Sequence, residues 1–547
     1  MHRRVRTAVL AGMLALSGGW LVGQAQAPRP ARAEAAAPIE HLVVIFDENV
    51  SFDHYFGTYP DAANPPGEPP FHAAPGTPSV NGLSGALLTR NPNALNTANG
   101  TGAVNPFRLD RSQAATADQN HGYTAEQLAF HNGLMDLFPR SVGNSTMPVG
   151  PHGRITLDAP AGSPLLTKGV TLGYFDGNTV TALWNYAQHF AMSDNSYGTT
   201  FGPSTPGAIN LVSGQTNGIV ERLNGRGGTI DGGHGSTTLI SDVDPLDDVC
   251  SSSAKVLVRM GGPNIGDALT KAGVTWGWFQ GGFDLGVTNP DGSTGCFRTT
   301  LSAVTHVLSN DYVPHHEPFQ YYRSTANPKH LRPSSVAAIG HNGDRANHQY
   351  DLHDFFAAVQ AGNFPAVSFL KPPAYQNGHA GNSDPLDEQA FIVHVLNFLQ
   401  QRPEWRHTAV IIAYDDSDGW YDHQLGPIVN QSTTPSDALS AVGACGDGST
   451  ALPGIDAGNP HAQGRCGYGP RLPLLVISPW ARPNFVDHTV TDQSSVIRFI
   501  EDRWLHGRRL GHGSFDALAG SLGAMFDFRQ QPLAPLVLDG KTGEPQR

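Results

Sequence analysis

The stretch that decides the fold is Ile39–Gly57, which reads IEHLVVIFDENVSFDHYFG. Residues 42–46 form a short apolar run with branched side chains, which is typical of a strand covered on both faces. Glu48 and Asn49 follow where this strand should end. Ligands of an open α/β sheet lie outside the carboxyl ends of its strands, so we expect both residues near a functional site. A strand followed by an ordinary polar turn is the alternative for this stretch taken alone.

Strand-like and helix-like segments alternate through the rest of the chain. Further buried strands are predicted at 274–279, 366–370, 409–414 and 472–478. Helices are predicted at 123–138, 183–192, 352–361, 388–401 and 494–504. Such alternation is typical of an α/β fold with a mostly parallel sheet, whose strand ends share one site.

A second strand also ends in acids, because the apolar run 409–414 leads directly into Asp415 and Asp416. Together with Glu48, these carboxylates would repel one another strongly unless a cation lay among them. Hard oxygen ligands favour Mg, Ca or Mn, whereas a mixed site with histidines could take Zn or Fe.

Ser204 lies between Pro203 and Pro206, ahead of a predicted helix or strand. Helix starts favour anions, so Ser204 is a candidate nucleophile in a place suited to an anion. The alternative is that Ser204 is an ordinary N-cap. His121 precedes a predicted helix, and it could likewise be structural.

The bulk numbers exclude some classes of partner. The 547 residues contain 34 Lys+Arg and 47 Asp+Glu, and the net charge of -13 gives no reason to expect binding to nucleic acid or to anionic membranes. The arginines at positions 3, 4 and 6, an apolar run and Ala-x-Ala patterns predict a signal peptide over residues 1–35. We therefore expect a secreted or periplasmic protein without stable membrane insertion, since no later run is long enough to span a bilayer.

Four cysteines, at positions 250, 296, 445 and 466, include no CxxC pair, so they do not suggest a zinc knuckle or a thioredoxin motif. Disulfides are the default in an oxidising compartment, and three pairings are possible. We favour Cys250 with Cys296 and Cys445 with Cys466, because each pair closes the shorter loop.

The stretch Ile39–Gly57 resembles the opening motif of the bacterial phosphoesterase family that contains secreted phospholipases C and AcpA-type acid phosphatases, within the alkaline phosphatase superfamily. Similar blocks follow in order at 118–136, 202–206, 315–322, 414–423 and 471–480. The resemblance implies an alkaline-phosphatase-like, doubly wound and mostly parallel sheet with an inserted cap or subdomain. We expect one catalytic domain over 36–530, with insertions near 59–115 and 217–312 and a tail at 531–547.

The resemblance also implies the site. One divalent metal ion, of uncertain identity among Mg, Ca, Mn, Zn and Fe, would be held by Glu48, Asn49, Ser204, Asp415 and Asp416. Ser204 would be the nucleophile, and the phosphoryl group would be surrounded by His121, His315, His316 and His379. Asp422 and His423 rank below these as supporting groups, and His54 and His131 are expected to be structural.

Several positions depart from the family pattern. Serine stands at 204 where threonine is usual, Gly207 and Ala208 replace an Asn-Arg pair, and Val50 replaces a common arginine. The missing arginines weaken the expectation of phospholipid headgroup contacts. We therefore expect an acid phosphatase that hydrolyses small phosphomonoesters through a phosphoserine, with a phospholipase C acting on phosphatidylcholine-type lipids as the alternative. A catalytically silent extracellular binding protein is the third reading.

Overall fold

An eight-stranded sheet organises the part of the chain that the structure describes. The computed structural model describes residues 38–150, 153–156, 159–160, 162–446 and 462–546, so the predicted signal peptide lies outside the described residues. The strands are β1 His41–Asp47, β2 Ala191–Ser193, β3 Trp276–Gln280, β4 Gln349–Asp351, β5 Val367–Lys371, β6 Thr408–Tyr414, β7 Leu474–Ile477 and β8 Phe485–Asp487. Their spatial order is β4-β3-β5-β1-β6-β7-β2-β8.

Strand direction confirms the predicted mostly parallel α/β sheet. β4, β3, β5, β1 and β6 pair in parallel, and β8 is parallel to β2. β7 is antiparallel to both of its neighbours, β6 and β2. The core of the molecule follows from this layout, since every residue of 42–46 in the central strand β1 is fully buried.

The register between β1 and β6 brings two distant acidic segments together. His41 pairs with Thr408 at one end, and Asp47 pairs with Tyr414 at the other. The two strands are parallel, so Glu48 and Asp415 leave the sheet side by side at its carboxyl edge. The site predicted at the strand ends is therefore positioned by this one pairing.

Helices occupy the segments between the strands. The longer ones are α1 Phe52–Phe56, α2 Tyr123–Phe130, α3 Thr181–His189, α4 Ser204–Ser213, α5 Ile265–Ala272, α6 Leu352–Gln360, α7 Pro385–Gln400 and α8 Ser494–Trp504. Shorter turns of helix lie at Ala86–Thr89, Pro92–Leu95 and Phe138–Ser141. None of the described helices is both long and apolar enough to cross a bilayer.

Two predicted helix ends are wrong. The helix expected over 123–138 stops at Phe130, because His131 and Asn132 have φ angles of 45° and 53°, which a right-handed helix does not allow. The helix expected over 183–192 stops at His189, and the next residues form β2 against β7 and β8. The apolar pattern predicts a longer helix, but residues 191–193 pair with the sheet instead.

Small sheets form within residues 219–310. Ile219–Leu223, Asp244–Pro245 and Leu257–Met260 make a three-stranded sheet, and hairpins join Thr229–Gly233 to Ser236–Leu239 and Thr299–Leu301 to Leu308–Asn310. In the sequence, strand β3 of the main sheet lies between the last hairpin and the others. Disulfides link Cys250 to Cys296 and Cys445 to Cys466, which confirms the favoured pairing.

Residues after 530 lie against α7. Asn397 donates from Nδ2 to the Leu538 carbonyl at 2.7 Å, and Leu538 is fully buried. This segment, predicted as a tail, is therefore packed onto the domain.

Candidate active site

Polar groups meet at the carboxyl edge of the sheet, where β1 and β6 end. Glu48, Asn49, Asp415 and Asp416 are all buried there. Asn49 has a φ of 59°, and its backbone N–H donates to Asp415 Oδ1 at 3.0 Å. This turn folds the first strand end onto the second and holds the acidic groups together.

Ser204 is the first residue of α4, and its hydroxyl points into this cluster. Ser204 Oγ lies 3.1 Å from Asp416 Oδ2. It also lies 3.4 Å from Glu48 Oε2 and 3.4 Å from Asn49 Oδ1. A hydroxyl has a single proton to donate, so at most one of these three contacts is a hydrogen bond at a time. The remaining oxygen pairs face one another with lone pairs only, as the ligands of a cation do.

Close packing of α4 against the second strand end positions Ser204. A Cβ added at Gly207 would lie 2.1 Å from the Asp415 carbonyl oxygen, so glycine is required for this approach. Thr205 anchors the same turn, since its backbone N–H donates to Asp242 Oδ1 at 2.9 Å. The helix start is thus fixed from two sides.

A buried lysine completes the cluster. Lys371 is the last residue of β5, and it is 0% exposed. Its ammonium group forms an ion pair with Glu48 Oε1 and lies 3.3 Å from Asp415 Oδ2. The sequence pattern placed Lys371 at a strand end but assigned it no role.

Two of the predicted histidines lie together on one side of the site. The rings of His121 and His379 meet edge to face with centroids 5.8 Å apart. His121 Nδ1 lies 3.0 Å from Asp418 Oδ1, and that carboxylate also accepts from Asn49 Nδ2 at 3.3 Å. Asp418 therefore connects this pair of histidines to the strand ends, a link that the sequence did not indicate.

Nearby carboxylates favour the charged form of the same two histidines. Burial lowers the pKa of His121, but the charges of Asp416 and Asp418 outweigh it and raise the pKa well above its ordinary value. Burial likewise lowers the pKa of His379, and the carboxylates of Asp118 and Asp418 raise it overall. Two imidazolium groups thus face the site.

The other two histidines lie on the adjoining side. His316 Nδ1 lies 2.9 Å from Glu48 Oε1, and burial together with the charges of His315 and Lys371 lowers the pKa of His316 well below its ordinary value. His316 is therefore neutral. His315 contacts the inserted segment instead, 3.5 Å from Asp244 Oδ1.

The structure brings all nine predicted site residues into one connected cluster. Glu48, Asn49 and Asp416 contact Ser204 directly, while Asp415 lies behind them, bonded to Asn49 and Lys371. Pairs of histidines border the cluster on two sides. Lys371, Asp418 and Glu126 join it without having been predicted.

Glu126 links the segment before Ser204 to the segment after Asp416. Its Oε2 accepts from the Gly202 backbone N–H at 2.9 Å, and its Oε1 accepts from Ser417 Oγ at 2.7 Å. One carboxylate thereby ties the segment before Ser204 to the segment after Asp416. Its sequence signal is weak, because an acid in the first turn of α2 ordinarily serves only the helix dipole.

The donor set fits a divalent cation. Burial and the charge of Glu48 raise the pKa of Asp415 to about 6, and burial raises the pKa of Asp416 well above its ordinary value. Burial disfavours the charged form of both acids, and a bound cation would offset that cost. The residues that would hold it are Glu48, Asn49, Ser204, Asp415 and Asp416.

The lower-ranked residues lie in other contacts. His423 Nδ1 is 2.6 Å from Asp53 Oδ2, and Asp422 forms an ion pair with Arg471 at 3.0 Å. His54 is buried against Trp420 with a ring separation of 3.9 Å, and burial lowers its pKa to about 3. His131 ends α2.

Comparison with known proteins identifies the family. A model described as Phosphoesterase family matches residues 39–505. The chain belongs to the Phosphoesterase family. This confirms the predicted family, whose opening motif is the stretch Ile39–Gly57.

Several relatives of this chain are named phospholipases C. The non-hemolytic phospholipase C of Pseudomonas aeruginosa is 24% identical over 480 residues, which cover 85% of this chain and 54% of that protein. Phospholipase C A of Mycobacterium tuberculosis is 24% identical over 504 residues, covering 90% of this chain and 78% of its own length. The chain thus spans little more than half of the Pseudomonas protein.

Similarity to solved structures is distant. Murine ectonucleotide pyrophosphatase / phosphodiesterase 5 matches with a TM-score of 0.29 and 14% identity, over 64% of this chain and 95% of that one. The fold assignment therefore rests on the strand order and directions of the protein's own sheet.

Proposed function

We propose that this member of the Phosphoesterase family is a metal-dependent phosphoric ester hydrolase with Ser204 as nucleophile. The observation that carries the proposal is the contact of Ser204 Oγ with three oxygen acceptors from two strand ends. A serine serving only as an N-cap would bond to the backbone of its own helix, and Ser204 makes no such bond. A bound divalent ion would stabilise the serine alkoxide and the charge on the phosphoryl oxygens.

The protein's own residues account for the remaining steps. Ser204 Oγ gives its proton to Asp416 Oδ2, which lies 3.1 Å away, and attacks phosphorus, so that an Oγ–P bond forms while the bond to the ester oxygen breaks. The cationic His121 and His379 face the equatorial oxygens and offset their charge. A histidine proton goes to the departing alcohol. Water then attacks the phosphoserine and gives one proton to the neutral histidine, while Ser204 Oγ leaves phosphorus and takes back its proton from Asp416. Inorganic phosphate is released.

Phosphomonoesters are the substrate class that we propose first, because a terminal phosphate carries more negative charge than a diester and this site offers His121 and His379, whose charged forms are favoured. Activity at acid pH fits the same groups, since both imidazoliums persist throughout the acid range. We also propose that the protein is exported, since its two disulfides are typical of oxidising compartments.

A second candidate is a phospholipase C that cleaves phosphodiesters of zwitterionic lipids. The printed names of the relatives support it, at 24% identity over 480 and 504 residues. Turnover of p-nitrophenyl phosphate should exceed turnover of p-nitrophenylphosphorylcholine if the monoester proposal holds. A clear preference for the choline ester would replace it with the second candidate.

Ser204→Ala tests the nucleophile itself. Loss of the attacking oxygen should reduce hydrolysis of the better substrate on the order of a thousandfold or more, and acid quenching should no longer trap phosphate on the protein. The matched control is Ser213→Ala at the other end of α4, whose hydroxyl bonds to the Ile209 carbonyl at 2.9 Å. Unchanged hydrolysis in Ser204→Ala would favour the silent binding protein and end the proposal.

A further inference from the structure

Lys371 is a charged side chain that has no direct role in the proposed reaction. Its ammonium group is fully buried, and it lies 4.8 Å from the centroid of the Phe46 ring. Nζ also lies 3.4 Å from the Asp47 carbonyl oxygen. A buried ammonium group is costly unless close partners compensate it, so its position between two carboxylates is specific.

The two oxygens of Glu48 face different partners. Oε2 lies 3.4 Å from Ser204 Oγ, whereas Oε1 contacts Lys371 and lies 2.9 Å from His316 Nδ1. Asp415 is divided in a similar way, with Oδ1 accepting from the Asn49 N–H and Oδ2 lying 3.3 Å from Lys371 Nζ. Lys371 therefore binds the Glu48 oxygen that does not contact Ser204, together with Asp415 Oδ2.

The charges of the cluster can be counted. Glu48, Asp415 and Asp416 supply three negative charges, and Lys371 supplies one positive charge, which leaves two negative charges for a bound ion to neutralise. The nearby carboxylate of Asp418 is matched separately by His121 at 3.0 Å. A divalent ion fits this balance, whereas the same three carboxylates without Lys371 would hold an excess negative charge.

From this geometry we propose that Lys371 is a built-in counter-cation of the metal centre, a positioning residue that lies beside Glu48 Oε1 and Asp415 Oδ2, where a second cation would otherwise be needed. The inference rests on the proposed metal centre. Lys371 would then have two effects. It would stabilise the carboxylate cluster when no metal is bound, and it would reduce the net negative charge of the cluster to the two charges that one divalent ion neutralises.

The test compares full-length wild type with Lys371→Met, which keeps the length of the side chain and removes its charge. Binding of Mn²⁺ is measured by titration calorimetry at pH 8, and thermal unfolding is followed with and without Mn²⁺. We expect Lys371→Met to bind Mn²⁺ about tenfold more tightly, because a like charge next to the ion is gone. The metal-free variant should unfold at a lower temperature than wild type, and Mn²⁺ should raise its Tm by more.

Lys371→Arg is the matched control, since it keeps the charge and should bind Mn²⁺ within about twofold of wild type. If Lys371→Met folds only in the presence of Mn²⁺, its dependence on the ion supports the proposal. The proposal is overturned if Lys371→Met fails to fold both with and without Mn²⁺. It is also overturned if the variant binds Mn²⁺ with the affinity of wild type and Mn²⁺ raises the Tm of both proteins equally. Absence of Mn²⁺ binding by wild type would instead remove the metal centre, and the inference with it.

Discussion

Gly207 shows how much one missing side chain contributes to this site. The first turn of α4 passes so near to β6 that a methyl group at Gly207 would lie 2.1 Å from the Asp415 carbonyl oxygen. The glycine replaces an asparagine of the family pattern, which the sequence presented only as a departure. In the structure, the glycine allows Ser204 Oγ to lie 3.1 Å from Asp416 Oδ2.

We predict that Gly207→Ala moves α4 away from the strand end and lowers hydrolysis on the order of a hundredfold, because a displacement of about 1 Å disrupts catalytic geometry. The measurement is kcat on the better of the two p-nitrophenyl substrates. Gly523→Ala is the control, since its methyl would meet only the flexible Ser521 hydroxyl at 3.2 Å. Full activity of Gly207→Ala would show that the close approach is dispensable.

Residue patterns anticipated the site only where a polar group follows a strand. Glu48, Asn49, Asp415 and Asp416 were predicted from this rule, and the structure places all four at one sheet edge. Lys371 obeys the same rule, yet its partners Glu48 and Asp415 lie 323 and 44 residues away, as the numbering shows. No local pattern reports such a pairing, because it follows from strand order.

At the scale of elements, the five longer strands of the main sheet were predicted, whereas the three-residue strands β2, β4 and β8 and two helix ends were not. Continuous apolar runs in the sequence predict buried parallel strands such as β1 and β6. Helix ends depend on single residues, as the left-handed His131 after α2 shows. The end of α3 depends on sheet pairing by β2, which lies far from its partner β7 in the chain.

The helix α8 carries a buried acid that should make stability depend on pH. Burial, followed by the hydrogen bond to and the charge of Asp516, raises the pKa of Glu501 to about 9, although Arg509 lies 3.0 Å away. The folded state therefore favours the protonated acid. Its contribution to stability is complete below the ordinary pKa of 4.5 and is lost as pH rises through about 9.

We predict that Glu501→Gln flattens the pH dependence of the unfolding free energy between pH 5 and 9, because glutamine is neutral throughout. Urea unfolding of both proteins at several pH values measures this. Glu40→Gln, at an exposed position, should keep the slope of wild type. An equally steep slope in Glu501→Gln would assign the pH dependence to other groups.

At the scale of the whole molecule, Arg471 joins segments that lie far apart in sequence. It is fully buried and lies 3.0 Å from both Asp53 Oδ1 in α1 and Asp422 Oδ2 after β6. Its guanidinium also donates to the carbonyls of Asn81 at 2.7 Å and Asp194 at 3.0 Å. One side chain therefore connects four segments next to the active site.

We predict that Arg471→Met lowers the free energy of unfolding by about 3–5 kcal/mol, because it leaves the buried Asp422 without its ion-pair partner and Asp53 with His423 alone. The measurement is equilibrium urea unfolding at pH 7. Arg529→Met, at a side chain that is 91% exposed, should change it by less than about 0.5 kcal/mol. A loss below about 1 kcal/mol in Arg471→Met would contradict the role of this network.

The pairing of β1 with β6 has a consequence for biosynthesis. Glu48 emerges from the ribosome hundreds of residues before Asp415 and Asp416, and Arg471 emerges later still. The proposed hydrolytic centre therefore cannot form before residue 416 has been translated. A chain that terminates before that point would lack at least one of the proposed metal ligands, and we expect it to be inert toward the phosphate esters of the cell that makes it.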